Sequence, residues 1–417
     1  MKISNDIHGK NCEFMNDNIL KIRSKPITRA CMFAYTFYET DGRVMRYAET
    51  LAREGIIVEA IVLRRDNQAE EEVINGVKVL RIQRRIKNES GKYSYLSRIL
   101  KFFFLSMIEI TRRHLKEPYD IIHVHSVPDF EVFAAFIPKL LGAKIILDIH
   151  DIVPEFYAAK FKVGQNSLVF SALKFVEKLS AAFADHVIIA NDLWLEKLTS
   201  RSVSKDKCTA FINYPDISIF NPSVSANKKN GKFIMIYPGT LNWHQGLDIA
   251  VSALAIIKDK APDIELHIYG EGSAKLDIQK QIENLQLSDK VLLRSPLPLR
   301  DIAAVMANAD LGIVPKRNDS FGGDAFSTKI LEFMALGVPV IVADTRVDQY
   351  YFNDSLVRFF KAGDADDLAC VILEAYNNRE LNRQFASRSL EFASQYSWEN
   401  KKSDYLILID KLAQTTR

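Results

Sequence analysis

The chain has 417 residues, of which 48% are hydrophobic and 26% charged, which is ample material for more than one core and predicts two or three domains. Its 55 Lys and Arg stand against 52 Asp and Glu, a formal charge of +3, so bulk charge gives no reason to invoke nucleic acid. Cys12, Cys31, Cys208 and Cys370 are scattered, with no CxxC pair and no histidine cluster at metal-ligand spacing, which fits reduced thiols in a cytoplasmic protein.

The opening MKISNDIHGKNCEFMNDNIL is polar and does not resemble a signal peptide, and no segment approaches the roughly 18 apolar residues of a membrane span. Short apolar runs then alternate with amphipathic stretches, the pattern of βαβ units. In the first half ACMFAYTF (30–37), IIVEAIVL (56–63), DIIHVH (120–125), AKIILDIH (143–150) and DHVIIA (185–190) read as strands, several ending in ionisable residues. Ligands collect at such ends in doubly wound sheets. Asp41, Gly42 and Arg43 form a polar turn after the first run. The polar NPSVSANKKNGK (221–232) opens a second series, FIMIYPG, IELHIYG, KVLLRS, ADLGIVP and VPVIVA.

The expected architecture is therefore α/β with two Rossmann-like, doubly wound parallel-sheet domains, 1–220 and 221–395. A last helix over 396–417 has no strand after it and is free to pack back on the first domain.

Between the second and third strands of the first series, YLSRILKFFFLSMIEITRRHLK (95–116) carries Leu96, Ile99, Leu100, Phe103, Phe104, Met107 and Ile108 as one helical stripe, expected to face the core. Phe102 and Leu105 fall on the other side among Arg98, Lys101, Arg112, Arg113 and Lys116, with RIQRRIK (81–87) adding charge nearby. Apolar residues in a basic field suit peripheral contact with an anionic membrane, although packing between two helices explains the same phenylalanines.

The richest stretch is GGDAFSTKILEFMALGVPVIVA (322–343). It reads as a loop, a helix starting at Ser327 and Thr328 and closed by Gly337, and a buried strand. An ordinary capped helix explains the serine. A capped start is also an anion site, because its free N–H groups and positive dipole end point outward together. Glu332 lies one turn beyond Thr328 on the same face, within reach of a ribose attached to a phosphate at the helix start. A carboxylate suits sugar hydroxyls, not phosphate, so Glu332 and the loop residue Asp324 point to a sugar on each side of a diphosphate. The ligand so described is a nucleotide sugar.

Two other signals carry less. DAD (364–366) matches the metal-binding DxD of some glycosyltransferases but directly precedes DLACVILEAY, where acids cap a helix. GEG (270–272) is too short for a dinucleotide fingerprint, and no GxGxxG follows a strand, so a dehydrogenase is disfavoured.

At Asp324, Glu332 and KILEFMALGVPVI the chain resembles the retaining family-4 glycosyltransferases of the two-domain GT-B fold, with Asp324 where that family usually has Glu. YPGTLNWHQGLDIAVSALA looks like the family's phosphate loop and following helix, LHIYGEGSAKLDIQKQI its next glycine turn, FINYPDISIFNP its interdomain segment, and DGRVMRYAETLAREG and ILDIHDIVPE its acceptor-side loop and histidine-bearing strand end. The resemblance implies donor contacts from Gly239, Thr240, Gln245, Gly270, Lys316, Arg317, Ser327, Thr328, Lys329 and Glu332. It implies a catalytic set of Asp324, His150 and Glu332, and an acceptor side built by Asp41, Gly42, Arg43 and, more weakly, His125. His123 is expected to be structural. The family's usual Arg and Lys in the phosphate loop are Thr240 and Gln245 here, so His244, Lys316, Arg317 or Lys329 is expected to compensate.

The implied activity is metal-independent transfer of a sugar, without a cofactor, from a UDP- or GDP-linked donor to a glycan or polyprenyl-linked acceptor, in surface polysaccharide assembly at the inner face of a membrane. A nucleotide-sugar 2-epimerase of the same fold and a catalytically silent scaffold are the alternatives.

Overall fold

Alternating burial organises both sheets. In β1 (Arg29–Ala34) the residues Ala30, Met32 and Ala34 enter one core, and Cys31 and Phe33 enter the other, as expected for a parallel strand covered on both faces. The computed structural model describes residues 27–85, 92–126, 128–161, 164, 166–224 and 231–414; the polar N-terminal stretch and residues 225–230 of the expected linker lie outside them.

The first sheet continues with β2 (Ile57–Arg64), β3 (Glu71–Ile74), β4 (Val77–Arg84), β5 (Ile121–Ser126), β6 (Lys144–Ile149), β7 (His186–Ile189) and β8 (Cys208–Ala210). Its order is β3-β4-β2-β1-β5-β6-β7-β8, parallel except for the β3–β4 hairpin. The hairpin was not expected. Half of the basic run assigned to a surface field is in fact β4, where Arg81 is buried and paired with Glu39 and Glu72. Residues 86–87 of that run lie outside the described part.

Helices α1 (Gly42–Arg53), α2 (Lys92–Lys116), α3 (Phe136–Leu140), α4 (Val153–Phe161), α5 (Leu168–Phe183) and α6 (Asp192–Thr199) join these strands. In α2 the expected face is met only in part: Ile99 is buried and Phe103 and Met107 pack against the core, but so does Phe102 from the other side. Phe102 is 0% exposed and stacks on Phe33 at 5.4 Å, while Phe104 and Ile108 are 53% and 61% exposed. The apolar arc is wider than one contact face, and the core takes Ile99, Phe102 and Ile110, leaving Leu96, Leu100, Phe104 and Ile108 outside.

The second sheet contains β9 (Phe233–Pro238), β10 (Ile264–Tyr269), β11 (Val291–Arg294), β12 (Leu311–Val314), β13 (Val340–Ala343) and β14 (Arg358–Phe360), all parallel in the order β11-β10-β9-β12-β13-β14. This is the doubly wound order, with the strand reversal between β9 and β12. Its helices are α7 (Leu247–Ile257), α8 (Lys275–Asn284), α9 (Leu299–Ala307), α10 (Thr328–Ala335), α11 (Arg346–Tyr351), α12 (Ala365–Asn377) and α13 (Arg379–Gln395). Asp364 caps α12 by accepting from Asp367 N at 3.1 Å, so the DAD triplet is a helix start. Gly337, at φ +66°, ends α10 in the left-handed region.

The last helix, α14 (Trp398–Gln414), lies on the first domain. Trp398 Nε1 donates to Thr50 Oγ1 at 2.9 Å, and Tyr405 stacks on Tyr47 with its hydroxyl 3.1 Å from His123 Nδ1.

Candidate active site in the interdomain cleft

The carboxyl ends of both sheets face one cleft of about 1330 Å³. Asp41, Gly42, Arg43, Arg46 and His150 line it from the first domain; Pro296 to Leu299, Thr328 and Glu332 line it from the second. The sequence expectations for Asp41, Gly42, Arg43, His150, Thr328 and Glu332 thus converge on one space.

On the second-domain side, α10 starts at Thr328 with Ser327 in the N-cap position. Ser327 was expected to cap the helix, but its hydroxyl makes no cap bond and is buried without a partner. The backbone ψ of 110° places the residue as an N-cap while the side chain stays free. Glu332 is half-buried one turn along; burial raises its pKa, against the opposing pull of Lys329 and Arg46.

The loop after β9 is rigidly held. Gly239 has φ +140°, and a Cβ on Gly270 would lie 1.8 Å from the Gly239 carbonyl oxygen, so Gly270 serves the close approach of two backbones. The Tyr237 hydroxyl sits 2.9 Å from both Gln245 Oε1 and the Thr240 carbonyl, and Gln245 Nε2 is 3.0 Å from His244 Nε2. Gln245 therefore braces the loop. Lys316 is buried, pairs with Asp348 at 2.8 Å and donates to the Ala325 carbonyl at 2.7 Å. Arg317 pairs with Asp248 and stacks on Trp243 at 3.7 Å. Lys329 reaches back from α10 over Gly239.

On the first-domain side, Asp41 caps α1 by accepting from Arg43 N and Val44 N at 3.2 Å. The Arg43 guanidinium turns inward and grips Asp148 with two bonds of 2.7 Å, with further bonds to Phe211 O and Asn213 Oδ1. Asp148 also lies 3.2 Å from His125 Nδ1 and 3.4 Å from His150 Nε2. Burial alone would raise the Asp148 carboxyl, but Arg43 and the histidines hold it well below its ordinary value. His123 is pushed down to about 3 by burial and by its neighbour His125. His123, His125 and Asp148 stand close enough to hold a metal ion, yet both carboxylate oxygens already accept from Arg43. His125 is thus a supporting residue behind His150, which alone of the three histidines lines the cleft.

Asp324 does not line the cleft. Its carboxylate is 2.9 Å from Lys197 Nζ of α6 and 3.7 Å from Arg346 Nη1, and Asn191 Nδ2 donates to its carbonyl at 3.0 Å. Phe321, just before it, inserts between Phe156 and Trp194 of the first domain at 5.2 and 5.8 Å. The segment before α10 is therefore a contact between the domains.

Sequence reasoning missed Asp148, Arg46, Asn213 and Lys197. Asp148 was visible as a lone acid inside the apolar IILDIH, and Arg46 as a further cation three residues beyond Arg43 in DGRVMRYAETLAREG.

Residues 42–213 match the family model described as "Glycosyl transferase 4-like domain", and residues 221–392 match "Glycosyl transferases group 1". Together these models span both domains, and the chain belongs to the family-4 glycosyltransferases of the GT-B fold. It is 24% identical over 270 residues to 2-deoxystreptamine N-acetyl-D-glucosaminyltransferase of Niallia circulans, covering 63% of this chain and 67% of that protein. Matches to the first three curated relatives cover 67%, 59% and 73% of their lengths. Among solved structures, sucrose-phosphate synthase of Thermosynechococcus elongatus superposes with TM-score 0.76 at 16% identity over 92% of this chain and 99% of that one. HepE of Anabaena, in complex with UDP-glucose, gives TM-score 0.67 at 16% identity, covering 91% of this chain and 99% of that one.

Proposed function

We propose that the protein is a retaining glycosyltransferase that moves a sugar from a UDP- or GDP-linked donor to a glycan or polyprenyl-linked acceptor. The observation that carries this reading is the meeting of Thr328, Glu332, His150 and Gly42 in one interdomain cleft. The diphosphate lies at the start of α10, where free N–H groups and the dipole favour an anion. Glu332 accepts from the ribose hydroxyls, and the apolar turn Pro296–Leu299 forms a wall for the base. His150, held from behind by His125 and Asp148, orients the transferred sugar.

In the reaction the bond from the sugar's anomeric carbon to the β-phosphate oxygen breaks and a bond from the acceptor hydroxyl to that carbon forms on the same face. The acceptor proton passes to the departing phosphate oxygen, and the developing diphosphate charge is stabilised by the helix start. No protein base is needed in this scheme.

The acceptor class draws support from the outer surface of the first domain. Helices α2, α3 and α5 cover one face of its sheet and expose Leu100, Phe104, Ile108, Leu140, Phe175 and Leu179. The charged residues that these helices expose, among those described, are Lys101, Arg112, Lys116 and Lys178, all basic. Although Arg112 is paired with Glu109, the net charge of this apolar face is basic, which fits the surface of an anionic bilayer, where a polyprenyl-linked acceptor resides.

The test is a panel of UDP-, GDP-, ADP- and dTDP-sugars, read by thermal shift and by slow release of free nucleotide. Stabilisation by one donor with release of its nucleoside diphosphate is expected. Isomerised sugar without release would replace the reading with an epimerase, and no response to any donor would replace it with a scaffold.

A further inference from the structure

We propose that Lys329 supplies the positive charge that holds the donor's diphosphate, reaching from α10 to the loop after β9; the assignment rests on the nucleotide-sugar reading of the cleft. Four basic side chains surround that loop, and the geometry separates them. Lys316 is committed to Asp348 and to the Ala325 carbonyl, at 2.8 and 2.7 Å. Arg317 is committed to Asp248 and to the Trp243 ring. Burial favours the neutral form of His244, whose Nε2 is engaged by Gln245.

Lys329 differs from all three. Among the described residues no carboxylate lies within 4.0 Å of its amine. The side chain runs over Gly239, where a Cβ would stand 2.4 Å from Cε, and the amine lies 5.3 Å from the centre of the Tyr237 ring. Gly239 thus leaves open the path by which this lysine reaches the loop. Beside it, Ser327 Oγ is buried without a partner at the N-terminus of the same helix. An unpaired cation, an orphan hydroxyl and the free N–H groups of a helix start converge, and a group with several anionic oxygens satisfies all of them.

The groups facing the amine are Glu332 on its own helix, Lys316 after β12, and Tyr237 and His244 from β9 and its loop. Burial lowers the Lys329 pKa to about 8, with Glu332 opposing and Lys316 adding to the fall. A bound diphosphate would favour the charged amine, so diphosphate binding weakens as pH rises through that region.

The experiment measures Kd for UDP and GDP, with uridine and guanosine as uncharged controls, on the wild type and on Lys329→Met, Lys329→Arg and the double variant Lys329→Met/Thr240→Arg. The expected result is a loss of about tenfold or more for the diphosphate in Lys329→Met with the nucleoside unchanged, as for removal of a charge-assisted contact. Lys329→Arg keeps the affinity and loses its fall between pH 7 and 9, and Thr240→Arg restores binding to the Met variant by placing a cation on the loop itself. Unchanged diphosphate affinity in Lys329→Met overturns the assignment while leaving the nucleotide site intact. Equal loss of diphosphate and nucleoside without rescue by Thr240→Arg also overturns it, and a wild type that binds none of the four overturns the nucleotide-sugar reading as well.

Discussion

Lys197 Nζ on α6 lies 2.9 Å from Asp324 Oδ2 on the loop before α10, an ion pair that crosses from one domain to the other. With Asn191 bonded to the Asp324 carbonyl and the Tyr351 hydroxyl 2.6 Å from Asp192, the same surface joins the two domains beside the cleft. The acid expected to meet the transferred sugar is therefore also part of the contact that sets how far apart the domains stand.

The two roles separate by mutation. Lys197→Met removes only the interdomain pair, which is part-exposed and contributes on the order of 1 kcal/mol. It is expected to lower kcat by less than about threefold. Asp324→Ala removes the same pair and, if the carboxylate also turns to the transferred sugar as the family resemblance implies, is expected to lower kcat about tenfold or more, with donor KM changed by less than about twofold. Equal effects in steady-state kinetics would reduce Asp324 to a domain contact.

Glu332 makes the opposite prediction. It lines the cleft one turn beyond Thr328, where the proposed reading has it accept from the ribose hydroxyls. Glu332→Ala should raise donor KM about tenfold or more, since hydrogen bonds to a charged acceptor contribute about 1.5–3 kcal/mol each. A variant with normal donor KM would refute this placement of the nucleotide.

How much of this was legible depended on where the partners lie in sequence. The apolar runs that became β1, β2, β5, β6, β7 and β9 to β13 were visible because strands buried on both faces read as continuous hydrophobic stretches. β8 and β14 have three residues each, and β3 places Glu71 and Glu72 outward, so neither length nor pattern marked them. In α2 the periodicity identified the helix but not its buried side, because two adjacent arcs are both apolar. Lys316, Arg317 and Lys329 were indistinguishable as cations near the cleft; their difference is set by Asp348 and Asp248, which only the fold brings to the first two. Arg43 and Asp148 are likewise joined across 105 residues of chain.

That buried network makes the first domain sensitive to mutation and to acid. Asp148→Asn leaves the Arg43 charge buried and unmatched, and about 3–5 kcal/mol of stability should be lost. His123 and His186 have pKa values lowered by burial to about 3 and about 4, below those in the unfolded chain. As pH falls below about 6.5 the unfolded state takes up protons that the folded state refuses, so stability declines by up to about 1.4 kcal/mol per pH unit for each histidine. Denaturant titrations from pH 7 to 4 should show this slope, and His123→Gln should reduce it. An unchanged slope in that variant would assign the acid sensitivity to other groups.

The last prediction concerns the outer face of α2, α3 and α5. The helix periodicity had pointed to Phe102 and Leu105, but Phe102 is packed on Phe33 and Tyr35, so removing it would damage the core and report nothing about lipid. The informative residues are Phe104, Ile108 and Phe175, each more than half exposed. Replacing all three by Ser should leave the folded state within about 1 kcal/mol, because exposed side chains contribute little burial. If the face rests on an anionic bilayer, the triple variant should lose sedimentation with vesicles rich in phosphatidylglycerol, and the wild type should bind phosphatidylcholine vesicles more weakly and release from anionic ones as salt rises. Partitioning that ignores both the variant and the lipid charge would refute the membrane role. A wild type that instead dimerises through this face, with the variant monomeric, would assign the apolar surface to a second copy of the chain.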